Sequence, residues 1–156
     1  MRQRGFTLIE LVATLVIIGV LAAFALPRFV NLADSARTEA VNSLASSVQV
    51  AASTWHMQCA AKASAGCPLT TGVFLLTVGG QTVQIWNGWP DAGDSIRTNE
   101  IDTTVHTQGF RVGIPTRQDT TWELLSAPDP ANCSVRYHEA VTAGSEPSIT
   151  VKTSGC

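Results

Sequence analysis

Glu10 is the residue in this sequence that most needs a chemical partner. It interrupts an apolar run from Phe6 to Leu26, 21 residues of which it alone ionises. A carboxylate in hydrocarbon costs about 2.5–3.5 kcal/mol even on translocon-based insertion scales, and such a residue usually marks function. Ion pairing is the chemistry this placement invites. A second chemistry belongs to Cys59, Cys67, Cys133 and Cys156, all beyond the apolar run. His56 and Cys59 stand three apart, so on a helix they share a face near Cys67, as zinc ligands would. Neither a CxxC nor a second HxxC accompanies them, and zinc is set aside. An even cysteine count on a chain with an export or membrane signal points to disulfides in an oxidising compartment. Three pairings are possible. Proximity favours Cys59–Cys67 and Cys133–Cys156, whose loops of about 9 and 24 residues stabilise by about 2.6 and 3.4 kcal/mol in the chain-entropy model.

The remaining chemical side chains carry weaker signals. Asp91, Asp94, Asn99, Glu100 and Asp102 fall within a dozen residues, and oxygen ligands in a loop suit calcium. Their spacing lacks the alternating acids and central glycine of an EF-hand, so a solvated acidic loop is the reading preferred; Asp91, Asp94 and Asp102 are kept as a weak calcium candidate. His56, His106 and His138 are far apart in sequence, and no Ser or Cys beside them carries a nucleophile motif. No enzyme site and no cofactor motif emerges. Trp86 and Trp89 flank Asn87-Gly88 and would present an aromatic sugar-binding surface, although such tryptophans more often cover a small sheet core. Asn132-Cys133-Ser134 matches the glycosylation sequon, a chance match if Cys133 is bridged.

The elements that position these residues follow from periodicity. Beyond the apolar run, Val41, Leu44, Val48, Ala52, Trp55 and Cys59 recur at steps of three and four, one apolar stripe on a helix. Asn42, Ser43, Ser46, Ser47, Gln49 and Ser53 lie between them. The chain therefore predicts one long helix, from Phe6 to about Ala63 and about 85 Å long, apolar all round in its first half and amphipathic in its second. Gly66 and Pro68 supply the stop. Pro27 removes a backbone donor and kinks or loosens the helix, with Gly19 a weaker soft point.

After Pro68 the texture changes to Thr, Val, Gly and aromatics. Val73–Val78 and Thr82–Trp86 read as a hairpin turning at Gly79-Gly80. Asn87–Asp94 reads as a loop. Further strands are expected at Phe110–Ile114, Thr121–Leu125, Cys133–Val141 and Ser148–Thr153, the last two forming a second hairpin. The fold class is α+β: a long N-terminal helix with its second half packed on a C-terminal antiparallel β-sheet.

The N-terminal run permits three identities. Arg2 and Arg4 with Ala23-Phe24-Ala25 resemble a secretory signal, and the length fits a single membrane span. Glu10 weakens both and favours a segment that starts in the membrane and later serves assembly. Net charge is −2 over 156 residues, with no basic block, so no nucleic-acid surface is expected.

Gly5-Phe6-Thr7-Leu8-Ile9-Glu10 closely resembles the type IV prepilin motif. The resemblance implies that a prepilin peptidase removes residues 1–5, cutting between Gly5 and Phe6, and that Phe6 is N-methylated. It implies a membrane and filament-core helix over 6–27 and a globular head over 28–156. Glu10 matches the acid that neutralises the terminal amine of an adjoining subunit in such filaments. Ala25-Leu26-Pro27-Arg28-Phe29-Val30-Asn31-Leu32, Trp86-Asn87-Gly88-Trp89-Pro90-Asp91-Ala92 and Thr153-Ser154-Gly155-Cys156 resemble the mannose-sensitive haemagglutinin (MSHA) pilins in particular. The resemblance implies a structural subunit, taken as the major pilin, that moves from the inner membrane of a Gram-negative bacterium into a surface fibre for adhesion or motility. Its partners would be copies of itself, the peptidase and the assembly machinery. Pro27 would then either let the fibre stretch or only fit the subunit's curvature. A type II secretion pseudopilin, a minor pilin of DNA uptake, and a membrane-anchored enzyme or binding domain are the alternatives.

Overall fold

The computed structural model describes residues 6–62, 66–67, 72–93, 100–105, 107–113, 116 and 118–156, without the side chains of 26–31. Helix α1 spans Leu8–Ala61 as a single element across Gly19 and Pro27. Its start is set by Thr7, whose hydroxyl accepts the Glu10 backbone N–H at 3.4 Å and donates to the Glu10 carboxylate at 3.4 Å. Thr7 is thus an N-cap with an acid three residues on, the arrangement of a capping box. At the other end the Lys62 N–H is shared between the carbonyls of Gln58 and Cys59, a tightening turn, and Gly66 follows at φ 98°.

The chain divides into two compact units, Met1–Ala36 and Arg37–Cys156. Within the second, the helical stripe is buried throughout: Val41, Leu44, Val48, Ala52, Trp55 and Cys59 are all core residues. One stripe serves two sheets. Its first part, Val41 to Ala52, packs with Trp122, Leu124, Val135 and Tyr137. Trp55 and Cys59 pack instead with Leu76, Val83 and Ile85.

The strands accordingly form two antiparallel sheets where the sequence implied one. The first has order β1-β2-β3, from Val73–Val78, Gln81–Trp86 and Trp89–Pro90. The second has order β4-β5-β6-β7, from Phe110–Val112, Asp119–Leu124, Ser134–His138 and Ser148–Lys152. The β1–β2 hairpin turns at Gly79 and Gly80, both at positive φ as a two-residue primed turn requires.

Three of the departures from the sequence reading have a clear local reason. Asn87-Gly88, read as the start of a loop, is a second two-residue turn with φ of 51° and 86°, and it folds Trp89 back opposite Trp86 as β3. Strand β5 starts at Asp119 instead of Thr121, because Asp119 pairs with His138 and bridges back to Thr116. Strand β6 is shorter than Cys133–Val141. Cys133 belongs to a tight turn, its N–H bonded to the Pro130 carbonyl, and beyond His138 the Glu139 side chain turns into the protein. Ile114, at the expected end of β4, lies outside the described residues.

Candidate functional site

In the first unit, the segment Leu8–Ala25 is long and apolar enough to cross a membrane. Large apolar side chains are exposed at nearly every position, from Phe6 at 73% and Leu8 at 80% to Phe24 at 76%, so every face of the helix is uncovered. A helix apolar all round is stable only when something apolar surrounds it, whether lipid or protein. Its polar side chains are accounted for locally. Thr14 donates to the Leu11 carbonyl at 2.8 Å, and Thr7 and Glu10 bond each other. The structure therefore places Glu10 in the first turn, where the helix dipole favours an anion, and leaves it exposed. Phe6 lies just before the helix; Gly5 lies outside the described residues. Thr7 was missed in the sequence reading, although T-x-x-E ahead of an apolar run is the capping-box signature.

The second unit gathers the other candidates. Cys59 is bonded to Cys67, tying the last turn of α1 to the segment before β1. Cys133 is bonded to Cys156, and Arg37 donates to the Cys156 carbonyl oxygen at 3.0 Å. The penultimate Gly155 lies so close to the Asp129 carbonyl that a Cβ would sit 2.4 Å from it.

The acidic loop does not lie open to solvent where it is described. Asp91 and Glu100 are buried, Asp102 lies in a 3-10 turn over Ile101–Thr104, and Asp94 and Asn99 fall outside the described residues. Among the described residues no three His, Cys, Asp or Glu side chains converge to hold a metal ion. Asp91 instead takes hydrogen bonds from the Gln84 amide and from the Gly93 N–H. Glu139, which no sequence pattern singled out, accepts from the Ala92 N–H at 3.3 Å. Burial, and then contact with Asp91, push the Glu139 carboxyl up to about 8.

On the outer face of the second sheet, Asp119 accepts two bonds from the Arg136 guanidinium, one from His138 Nδ1 at 2.8 Å and one from the Thr116 hydroxyl at 3.0 Å. The Arg136 contact, opposed by burial, and the bonds from His138 and Thr116 hold this carboxyl down at about 2. His138 is thus held at Asp119 beside Arg136 and Thr116. His56 lies flat against Trp89, with ring centroids 4.0 Å apart, and Trp89 packs on the core instead of standing open as a sugar platform. His106 lies outside the described residues.

Two comparisons bear on what this arrangement is. Residues 1–26 match the prokaryotic N-terminal methylation motif. Over 82 residues, 53% of this chain, the sequence is 43% identical to the type IV narrow pilus major component PilA5 of Thermus thermophilus. The chain spans 66% of that relative's length, just short of two thirds. No solved structure matches the chain at a significant level. The motif and the relative together support the type IV pilin family.

Proposed function

We propose that this chain is a structural subunit, the major pilin, of a type IV pilus. The observation that carries the reading is the uncovered helix: Leu8–Ala25 is apolar on every side, lies within the N-terminal methylation motif matched over residues 1–26, and holds one carboxylate in its first turn. Such a segment passes from bilayer to the packed centre of a filament with little change in the polarity around it. Cutting between Gly5 and Phe6 creates an amine on Phe6, and Glu10 of a neighbouring copy neutralises it. The two ions, each costly alone in an apolar medium, offset part of each other's desolvation. A prepilin peptidase and an inner-membrane assembly machinery are the partners this route needs, and the mature subunits form a homopolymer on the cell surface that serves attachment or motility. Within the family, the segments Ala25–Leu32, Trp86–Ala92 and Thr153–Cys156 favour the MSHA pilins.

Mass spectrometry of the mature chain, combined with electron microscopy of sheared surface filaments, tests this. A methylated Phe6 at the N-terminus of the filament subunit is the expected result. A mature chain that starts at Met1 or at Leu26, or one absent from the filaments, overturns the reading.

A further inference from the structure

The outward face of β5, β6 and β7 is polar at every position the pleat turns to it, and the strand register arranges it in rows. One row, extended onto β4, runs Arg111, Glu123, Ser134 and Lys152. The next runs Thr121, Arg136 and Thr150, and a third runs Asp119, His138 and Ser148. A groove of about 370 Å³ is cut into this face, with Asp119, Thr121, Glu123, Ser134, Arg136 and Lys152 in its lining.

Charge in the groove is matched only in part. Glu123 is paired with Arg111, whose Nε and Nη2 lie 2.8 and 2.7 Å from its carboxylate. Asp119 takes Nε and Nη2 of Arg136 together with His138. Arg136 Nη1 and the Lys152 ammonium remain, and neither has a partner among the described residues. Lys152 stands opposite Ser134, which makes Arg136 its diagonal neighbour, about 7–8 Å away across the two strands. Ser134 supplies no counter-charge there, since its hydroxyl donates to the Ala131 carbonyl at 3.2 Å. A chain of net charge −2 thus carries three permanent cations against two carboxylates on this one face.

We propose that the groove binds an acidic polysaccharide, one sugar carboxylate lying between Lys152 and Arg136 and the neighbouring hydroxyls donating to Asp119 and Glu123. An ammonium and a guanidinium edge side by side suit a carboxylate, and ionised acceptors make strong bonds with sugar hydroxyls. The same carboxylates set the groove against a densely charged polyanion: nucleic acid binds by having several phosphates neutralised, and one surplus cation does not supply that. No aromatic side chain lines the groove to stack a base, and no large apolar one to seat a hydrophobic peptide. A sparsely charged, hydroxyl-rich chain is what remains. The inference deepens the attachment role proposed above and rests on that reading only for where the ligand is met.

Titration of the full-length chain, in neutral detergent micelles, with trigalacturonate tests the groove, followed by amide and lysine-ammonium NMR. Saturable shifts on β5, β6 and β7 are expected. One charge-assisted hydrogen bond corresponds to about tenfold in affinity. Lys152→Gln should therefore weaken binding about tenfold, and so should the methyl-esterified trimer, which keeps the hydroxyls and lacks the charge. The ester should bind Lys152→Gln and wild type alike, and comparing acid with ester on the unmodified chain needs no variant to fold. No saturable shift at about 10 mM ligand, equal binding of acid and ester, or undiminished binding by Lys152→Gln overturns the proposal. So does an oligothymidylate that displaces the trimer at lower concentration, because the groove would then be a nucleic-acid site. Sheared filaments keep the two readings apart. A chain that binds the acid but builds no filament fells the pilin reading alone, and a filament subunit that binds no acid fells the groove alone.

Discussion

His56 and Trp89 lie face to face, with ring centroids 4.0 Å apart and planes 11° from parallel, and this contact fixes the second hairpin against the helix. His56 Nδ1 also lies 2.8 Å from the Gly88 carbonyl, so that nitrogen carries the proton and donates. The imidazole therefore holds both the turn and the strand it leads into. A neutral hydrogen bond contributes about 1 kcal/mol and a stacked aromatic pair about 0.5–1.5 kcal/mol. His56→Ala is expected to lower stability by about 1–2.5 kcal/mol, and His56→Phe by less, since it keeps the stack and loses only the bond. Denaturant unfolding followed by tryptophan fluorescence checks the order. Equal losses for the two variants would mean the stack contributes nothing.

Acid stability should depend on Asp119. Its carboxyl is held at about 2, down from the usual 3.8, first by the Arg136 bonds. A lowered carboxylate contributes stability that is complete above the unfolded value and lost as pH falls through the folded one. The window is therefore about pH 4 down to 2. Arg136 is half-exposed, so screening reduces the contribution to about 1–2 kcal/mol. Asp119→Asn should remove that slope, leaving a flatter stability curve between pH 4 and 2 than wild type. An unchanged acid limb in the variant would show the network contributes nothing there.

The end of the chain is expected to tolerate little change. Cys133–Cys156 closes the last segment onto the turn before β6, and Gly155 fits between the Asp129 carbonyl and Asn132. Gly155 also exchanges backbone bonds with Asp129 and Asn132 at 3.1 and 3.0 Å. Converting both cysteines to Ser should cost about 3 kcal/mol. Gly155→Ala forces a methyl against a backbone oxygen that cannot step aside, so it should destabilise by more than 1 kcal/mol with the disulfide still intact. Thermal unfolding before and after reduction separates the two effects. A Gly155→Ala protein as stable as wild type would mean the turn shifts freely.

What was legible in the sequence was whatever depends on periodicity and turn chemistry. The stripe from Val41 to Cys59 is buried residue for residue, because a 3.6-residue period leaves no other face for those side chains. Gly79-Gly80 announced its hairpin. Asn87-Gly88 carries an equally strong turn signal, but the strand after it is only Trp89-Pro90, too short to show alternation. The division into two sheets was hidden because one helical stripe serves both, and nothing in its spacing marks where Ala52 hands over to Trp55. Buried acids were the least legible. Glu139 follows His138 at the end of a strand and looks like a solvated residue; only the fold brings Asp91 and the Ala92 N–H to it.

Glu10 has two separable tasks, one seen in the structure and one proposed, and variants can divide them. One is local: with Thr7 it closes the first turn of α1. The other is the proposed pairing with the terminal amine of a neighbouring subunit. Glutamine serves in a capping box as well as glutamate does, so Glu10→Gln keeps the helix start and removes only the charge. Leaving one ion of a buried pair unmatched costs about 3–5 kcal/mol. Glu10→Gln is thus expected to yield a chain that is made, cleaved after Gly5 and held in the membrane, yet builds no filaments. Thr7→Ala loses the cap, worth about 1 kcal/mol, and keeps the charge, so filaments should persist in reduced number. Immunoblots of membrane and sheared surface fractions, with electron microscopy, read both outcomes. Normal filaments from Glu10→Gln would sink the pairing, and their loss in Thr7→Ala alone would assign the acid's importance to the helix start.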